Sequence, residues 1–145
     1  MIPRIVAINI YSKKSRAVFS VSKAELKADY GIIGDDYAGQ KTRQVSLLAK
    51  EAINDFNKAH NSKIAMGDSG ENIITEGIHL HELEKGSRLK ISDIILETTK
   101  KGGKCSKPCF IGKNFGDRIM SKEGAFAKVI EGGQIKVGDK IRLLT

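Results

Sequence analysis

The chain has no tryptophan, two prolines and two cysteines among 145 residues, and its other aromatics amount to three tyrosines and five phenylalanines. Each shortage excludes something. Two cysteines cannot build a disulfide framework. With no polar-flanked apolar leader and no apolar run long enough to cross a bilayer, the chain reads as soluble and cytoplasmic, with no membrane partner. The few aromatics form no stripe with basic residues, which argues against a surface that stacks nucleic-acid bases. Neither a G-x-x-x-x-G-K-[ST] loop nor a G-x-G-x-x-G turn occurs, and G-x-S-x-G is missing, so nucleotide-binding and serine-hydrolase chemistry have no motif to rest on. Without repeats, low-complexity tracts or Pro/Ser-rich linkers, residues 1–145 read as one domain.

Basic residues are plentiful instead: 25 lysines and arginines stand against 17 acids, a net charge of +8 that implies affinity for an anion without saying which. The charge has a focus. From Thr98 to Lys113 there is no acid, five lysines (100, 101, 104, 107 and 113) and both cysteines, Cys105 and Cys109. A nearby cation favours a thiolate over a thiol, so this segment would lower a cysteine pKa and draw an anion to the same place. The bland alternative is one small buried hydrophobe and one incidental surface thiol. The C-x3-C spacing is not the C-x-x-C of dithiol exchangers.

Short apolar runs punctuated by glycine dominate the rest. Ile5–Ile10, Arg16–Val21, Arg88–Ser92, Ile94–Thr98 and the two halves of Gln134–Leu144 read as strands. Val45, Leu48, Ala49, Ala52, Ile53 and Phe56 recur at helical steps and predict a helix over about 47–58. A second helix is expected over 122–129. The 15 dispersed glycines suit tight corners, and the fold expected is mainly β, a barrel-like domain with one or two short helices, rather than a βαβ sheet.

Two loops carry more polar groups than a turn requires. One delivers Asp35, Asp36, Lys41 and Arg43 just ahead of the helix; the other, Gly67–Asn72, precedes Ile73. The aspartates can serve as turn caps. If the loops converge on one mouth, Arg43 would grip a phosphate or carboxylate bidentately, and Glu71 or Asn72 would fix a polar ring edge. His79 and His81 would share a strand face and, with the cysteines, form a formal metal set, but Lys104 and Lys107 disfavour another cation beside the thiols. His60, just past the helix, suits its dipole.

In order and spacing, several stretches together resemble the MOSC domain family, named for the C-terminal domain of molybdenum cofactor sulfurase. They are Gly31–Asp36, Arg43–Leu48, Gly70–Gly77 with Leu80 and Leu83, Gly86–Ser92, Leu96–Thr99, the cysteine loop, and Gly124–Asp139. Nearly the whole chain is covered, as in small stand-alone prokaryotic members. The resemblance implies a β-barrel fold and work on sulfur or the molybdenum cofactor (molybdopterin), with Cys109 matching the functional cysteine and the ligand of molybdenum. Cys105 is its neighbour, at a position where such members often carry a cysteine, and would resolve or assist. Ser106 and Tyr37 stand where relatives often carry histidine, and Ser69 where they often carry phenylalanine.

The expected function is a molybdenum cofactor-related binding or sulfur-carrier protein, with Cys109 as thiolate or persulfide and Arg43, Lys104 and Lys107 facing the anionic pterin. As an enzyme it would be a sulfur transferase or carry a molybdenum-dependent activity. Its partners would be a sulfur donor and the biosynthetic and target enzymes of the cofactor. The alternatives are a cofactor chaperone or sensor without turnover, and a basic nucleic-acid-binding domain.

Overall fold

Alternation of buried and exposed residues organises most of the chain, as a half-buried sheet requires. The computed structural model describes residues 2–12, 14–15, 17–36, 38–41, 43–63, 65, 71–101 and 124–144. In chain order the strands are β1 (Arg4–Ser12), β2 (Ala17–Val21), β3 (Lys23–Lys27), β4 (Gly31–Ile32) and β5 (Val45–Ala49). After helix α1 (Lys50–His60) come β6 (Ile73–Glu76), a 3-10 turn (Leu80–Glu82), β7 (Arg88–Ile91), β8 (Ile94–Lys101), β9 (Ala125–Glu131), β10 (Gly133–Lys136) and β11 (Ile141–Leu144).

These strands form two sheets, one of eight in the order β11-β7-β8-β9-β5-β6-β1-β2 and one of three in the order β10-β3-β4. Neither closes into a barrel, which corrects the expectation from sequence. The end strands β2 and β11 do not pair; an isolated bridge, Arg4 to Lys140, and the bond from Ile141 N to Pro3 O bring β11 only to the start of β1. The small sheet covers the core instead. Its Leu26, Ile32 and Ile135 join Ile5, Ile8, Leu47, Ile73, Leu89 and Ile94 in one buried cluster. Glycine-rich corners and short strands serve a closed or an open arrangement equally, and closure depends on pairing the first and last strands.

A bulge in β1 shifts the register between Ile5 and Ala7. That extra residue lets Ile5 and Ile8 both face the main core, while Val6 and Ala7 pack on the opposite side with α1. On that side Ala7, Leu48, Ile53 and Ile74 form a second buried cluster, flanked by Ala52, Phe56 and Phe126.

The expected helix is present but starts later, at Lys50, because Val45–Ala49 is a wholly buried central strand whose apolar run also fits a helical period. With β5 and β6 parallel, β5-α1-β6 is a single βαβ unit within a sheet whose other pairings are antiparallel. Asn61 ends the helix in the left-handed conformation, φ 50°, its N–H bonding Asn57 O. Of the helix expected over 122–129, residues 125–129 lie instead in strand β9, where Ala125, Ala127 and Val129 are buried alternately, the period of a strand; 122 and 123 lie outside the described residues. His79 and His81 do not lie on a strand; His79 precedes the 3-10 turn that contains His81.

Candidate functional site

Asn9 breaks the apolar run of β1, and Ser46 that of β5, on pleats facing the same way as Ala7 and Leu48. Both are buried, and buried polar groups need partners. Asn72 supplies them. Its Nδ2 donates to Asn9 O at 3.1 Å and to Asp35 Oδ1 at 3.2 Å. Its Oδ1 accepts from Ser46 N at 3.0 Å and Ser46 Oγ at 3.1 Å. The Asn72 N–H donates to Ser46 Oγ at 2.9 Å, and Asn9 N donates to Asn72 O at 2.6 Å. Both ends of the Asn72 amide are thereby committed within the protein.

Asp35 is buried in the same cluster, and its Oδ1 also accepts from Tyr11 N at 2.7 Å. This is a long-range tie from the loop after β4 to β1, rather than only a local turn cap. Asp36 adds a second tie through its N–H to Tyr11 O at 2.9 Å, although its side chain is exposed, as is that of Lys41. Glu71 is fully buried, and its carbonyl accepts from Asn9 Nδ2 at 3.3 Å. Asn9 and Ser46 were not singled out from sequence, where their only trace is a polar residue inside an apolar run.

Arg43 enters from the same loop. Its guanidinium carbon lies 4.8 Å from the centroid of the Phe126 ring, a cation–π arrangement that orients the side chain while leaving it partly exposed. Phe126 pairs with Ser46 across β9 and β5. The next residue, Gln44, is buried and bridges two elements, donating from Nε2 to Asp29 Oδ1 at 3.1 Å and accepting Val129 N at 2.9 Å. The backbone that carries Arg43 is therefore fastened both to β9 and to the turn at Asp29.

Phe126 also lies near both ends of the cysteine-bearing segment. Lys101 at the end of β8 pairs with Ala125 at the start of β9, and Lys100 pairs with Phe126. Cys105, Cys109, Lys104 and Lys107, all predicted site residues, lie outside the described residues. So does Ser69. Among the described residues, then, Asn72 and Glu71 share one buried cluster with Asp35, and Arg43 flanks it. No group of three or more His, Cys, Asp or Glu side chains that could hold a metal ion occurs among the described residues.

Further along the outer face of β7, β8 and β9, Glu97 sits between two cations. Arg88 Nε approaches Glu97 Oε1 at 3.2 Å, and Lys128 Nζ approaches Oε2 at 3.3 Å. The hydrogen bonds from Arg88 first and from Lys128 hold this carboxyl below its usual value of 4.5. In the last turn of α1, His60 packs on Phe56 with ring centroids 4.3 Å apart, in keeping with a dipole partner. No helix of the described residues is long and apolar enough to cross a membrane.

The model of the MOSC domain matches residues 34–142. Among solved structures, the YuaD protein from Bacillus subtilis superposes with a TM-score of 0.78 at 19% identity, covering 97% of this chain and 94% of that one. YiiM from Geobacillus stearothermophilus gives 0.71 at 15% identity, covering 99% and 75%, and YiiM from Escherichia coli gives 0.64 at 17%, covering 98% and 70%. At these identities the likeness is one of fold. No curated protein matches.

Proposed function

The chain belongs to the MOSC domain family, and on that premise we propose that it carries sulfur on Cys109, or holds the molybdenum cofactor there, inside a basic pocket completed by Arg43. The observation that supports this most is the position of Arg43 over Phe126, one residue from the Ala125–Lys101 pair at the base of the cysteine segment. A fixed guanidinium at that base, with Lys104 and Lys107 in the segment itself, suits an anion brought to a thiolate. Asn72 and Asp35 support the pocket by holding the Arg43 loop to β1 and β5. Glu71 completes the buried floor beside them.

The donors fit the anionic pterin better than a free metal ion. Arg43 offers a planar fork for a phosphate, and a cysteine thiolate is a soft ligand suited to a thiophilic metal. When bound, the cofactor would supply redox and sulfur-accepting chemistry at its molybdenum. In the sulfur-carrier step the Cys109 thiolate attacks the outer sulfur of a donor persulfide. A new S–S bond forms on Cys109 as the donor's own S–S bond breaks, the donor leaves as a thiolate, and no external oxidant is required. Cys105 assists by resolving the persulfide: its thiolate attacks the inner sulfur on Cys109, hydrosulfide leaves, and the Cys105–Cys109 disulfide that forms is reduced by an external dithiol.

Mass spectrometry of protein purified without reductant tests the reading. The expected result is one extra sulfur on the peptide containing Cys109, or a co-purifying pterin, with either lost in Cys109→Ser. A protein that carries neither after incubation with a persulfide donor and with molybdopterin would overturn it.

A further inference from the structure

Strand β2 ends the eight-stranded sheet, and its sequence, Ala17-Val-Phe-Ser-Val21, has none of the features that usually protect such an edge. There is no charge, no proline and no bulge in its pairing with β1. Which of its backbone groups face outward follows from β1. Asn9 N bonds Asn72 O, and Tyr11 N and O bond Asp35 Oδ1 and Asp36 N, so Asn9 and Tyr11 turn their polar groups away from β2. Their partners across the pair are Ser20 and Val18. In an antiparallel ladder such facing residues form the pairs without mutual hydrogen bonds, so the N–H and C=O groups of Val18 and Ser20 point to the free edge. The next outward carbonyl confirms the alternation: Ser22 O accepts from Val137 N at 2.9 Å. Val18 and Ser20 have no such partner among the described residues.

We propose that this edge pairs with the β2 edge of a second copy of the chain, antiparallel about a two-fold axis at Phe19, joining two eight-stranded sheets into one. Phe19 lies midway between the two outward residues, so the axis sets Val18 opposite Ser20 of the second copy and Ser20 opposite its Val18. Every outward donor then meets an outward acceptor, giving about four hydrogen bonds. The same axis brings the two Phe19 rings, each 48% exposed in the single chain, into direct cross-strand contact. Electrostatics permits this pairing too, because no charged residue lies between Ala17 and Val21 to face its like across the junction.

A junction of one five-residue strand is small, which places the association in the weak, concentration-dependent class. Each copy carries a net charge of +8, so long-range repulsion opposes it and added salt strengthens it. An interface held by ion pairs would respond in the opposite direction.

Sedimentation equilibrium of the full chain under reductant, up to about 1 mM and at low and high salt, provides the test. The wild type is expected to shift from monomer toward dimer as concentration rises, and further in high salt. Val18→Pro removes an outward N–H that the β1 ladder does not use, and Phe19→Lys places two cations at the axis. Both variants should remain monomeric with the circular dichroism of the wild type. Should one misfold, the other decides. A wild type that stays monomeric throughout, as it would if this edge served only a foreign peptide, overturns the proposal. So does a dimer that survives a folded Val18→Pro or Phe19→Lys.

Discussion

Asn72 satisfies groups from β1, β5 and the loop after β4 at once, so few single side chains leave more behind when removed. In Asn72→Ala the Ser46 N–H and Asn9 carbonyl lose this partner in a buried setting, and the Asp35 carboxylate loses one of its donors while keeping Tyr11 N. The expected cost is about 2–4 kcal/mol, measured as a drop in the urea midpoint with an unchanged slope. A loss below about 0.5 kcal/mol would mean that water replaces the amide without penalty. Glu97 gives a pH-dependent counterpart. Because its folded pKa is lowered, its pairing with Arg88 and Lys128 adds stability above the carboxyl's unfolded value and loses it as pH falls through the folded one. With the Glu97 side chain 22% exposed, the expected size is about 1 kcal/mol or less. Glu97→Gln should therefore lower Tm at pH 7 and converge on the wild type in acid; a Tm difference that is constant with pH would contradict the account. From sequence, Arg43, Glu71 and Asn72 were recognisable as polar residues without an evident local task. Their partners were not, because Asn9 and Ser46 lie tens of residues away and no local rule links them.

Helix α1 shows what a periodic pattern gives and where it stops. Ala52, Ile53 and Phe56 mark the apolar face correctly, but the preceding Val45, Leu48 and Ala49 extend the same spacing into a buried strand. A strand buried on both faces carries apolar residues continuously, so its period is masked. β9 is a related case. Ala125, Phe126 and Val129 suit a helical face, yet pairing with β5 on one side and β8 on the other selects the extended form. Tertiary pairing overrides a local preference that small. Ile53 is the buried anchor of α1 against Leu48, Ile74 and Ala7. Ile53→Ala should cost about 2–4 kcal/mol through the lost contacts and the cavity left under the helix, read by thermal unfolding. An unchanged Tm would mean that α1 is not fastened through this residue.

At the scale of the whole molecule, the β-rich class and the strands at both ends of the chain were legible, whereas the open sheet and its separate three-stranded cover were not. Barrel closure is a relation between the first and last strands of the order, here β2 and β11, and nothing in either strand's own residues reports whether they meet. The basic character that sequence composition announced acts through geometry that composition does not contain: the loop of Arg43 is fixed to β9 and β1, at the base from which the cysteine segment departs. If that arrangement gathers an anion, the combined substitution of Arg43, Lys104 and Lys107 by neutral residues should weaken molybdopterin binding and flatten its dependence on salt. Unchanged affinity and salt dependence would reduce the cluster to solvated surface. The most direct test is the pH dependence of iodoacetamide alkylation, read separately on the two cysteines of the folded protein. A working thiolate at Cys109 predicts rapid labelling there at neutral pH, with a midpoint well below the ordinary thiol value of about 8.5 and a slower response at Cys105. A Cys109 that is inert at neutral pH while Cys105 reacts with the lowered midpoint would contradict the assignment and transfer the sulfur chemistry to Cys105.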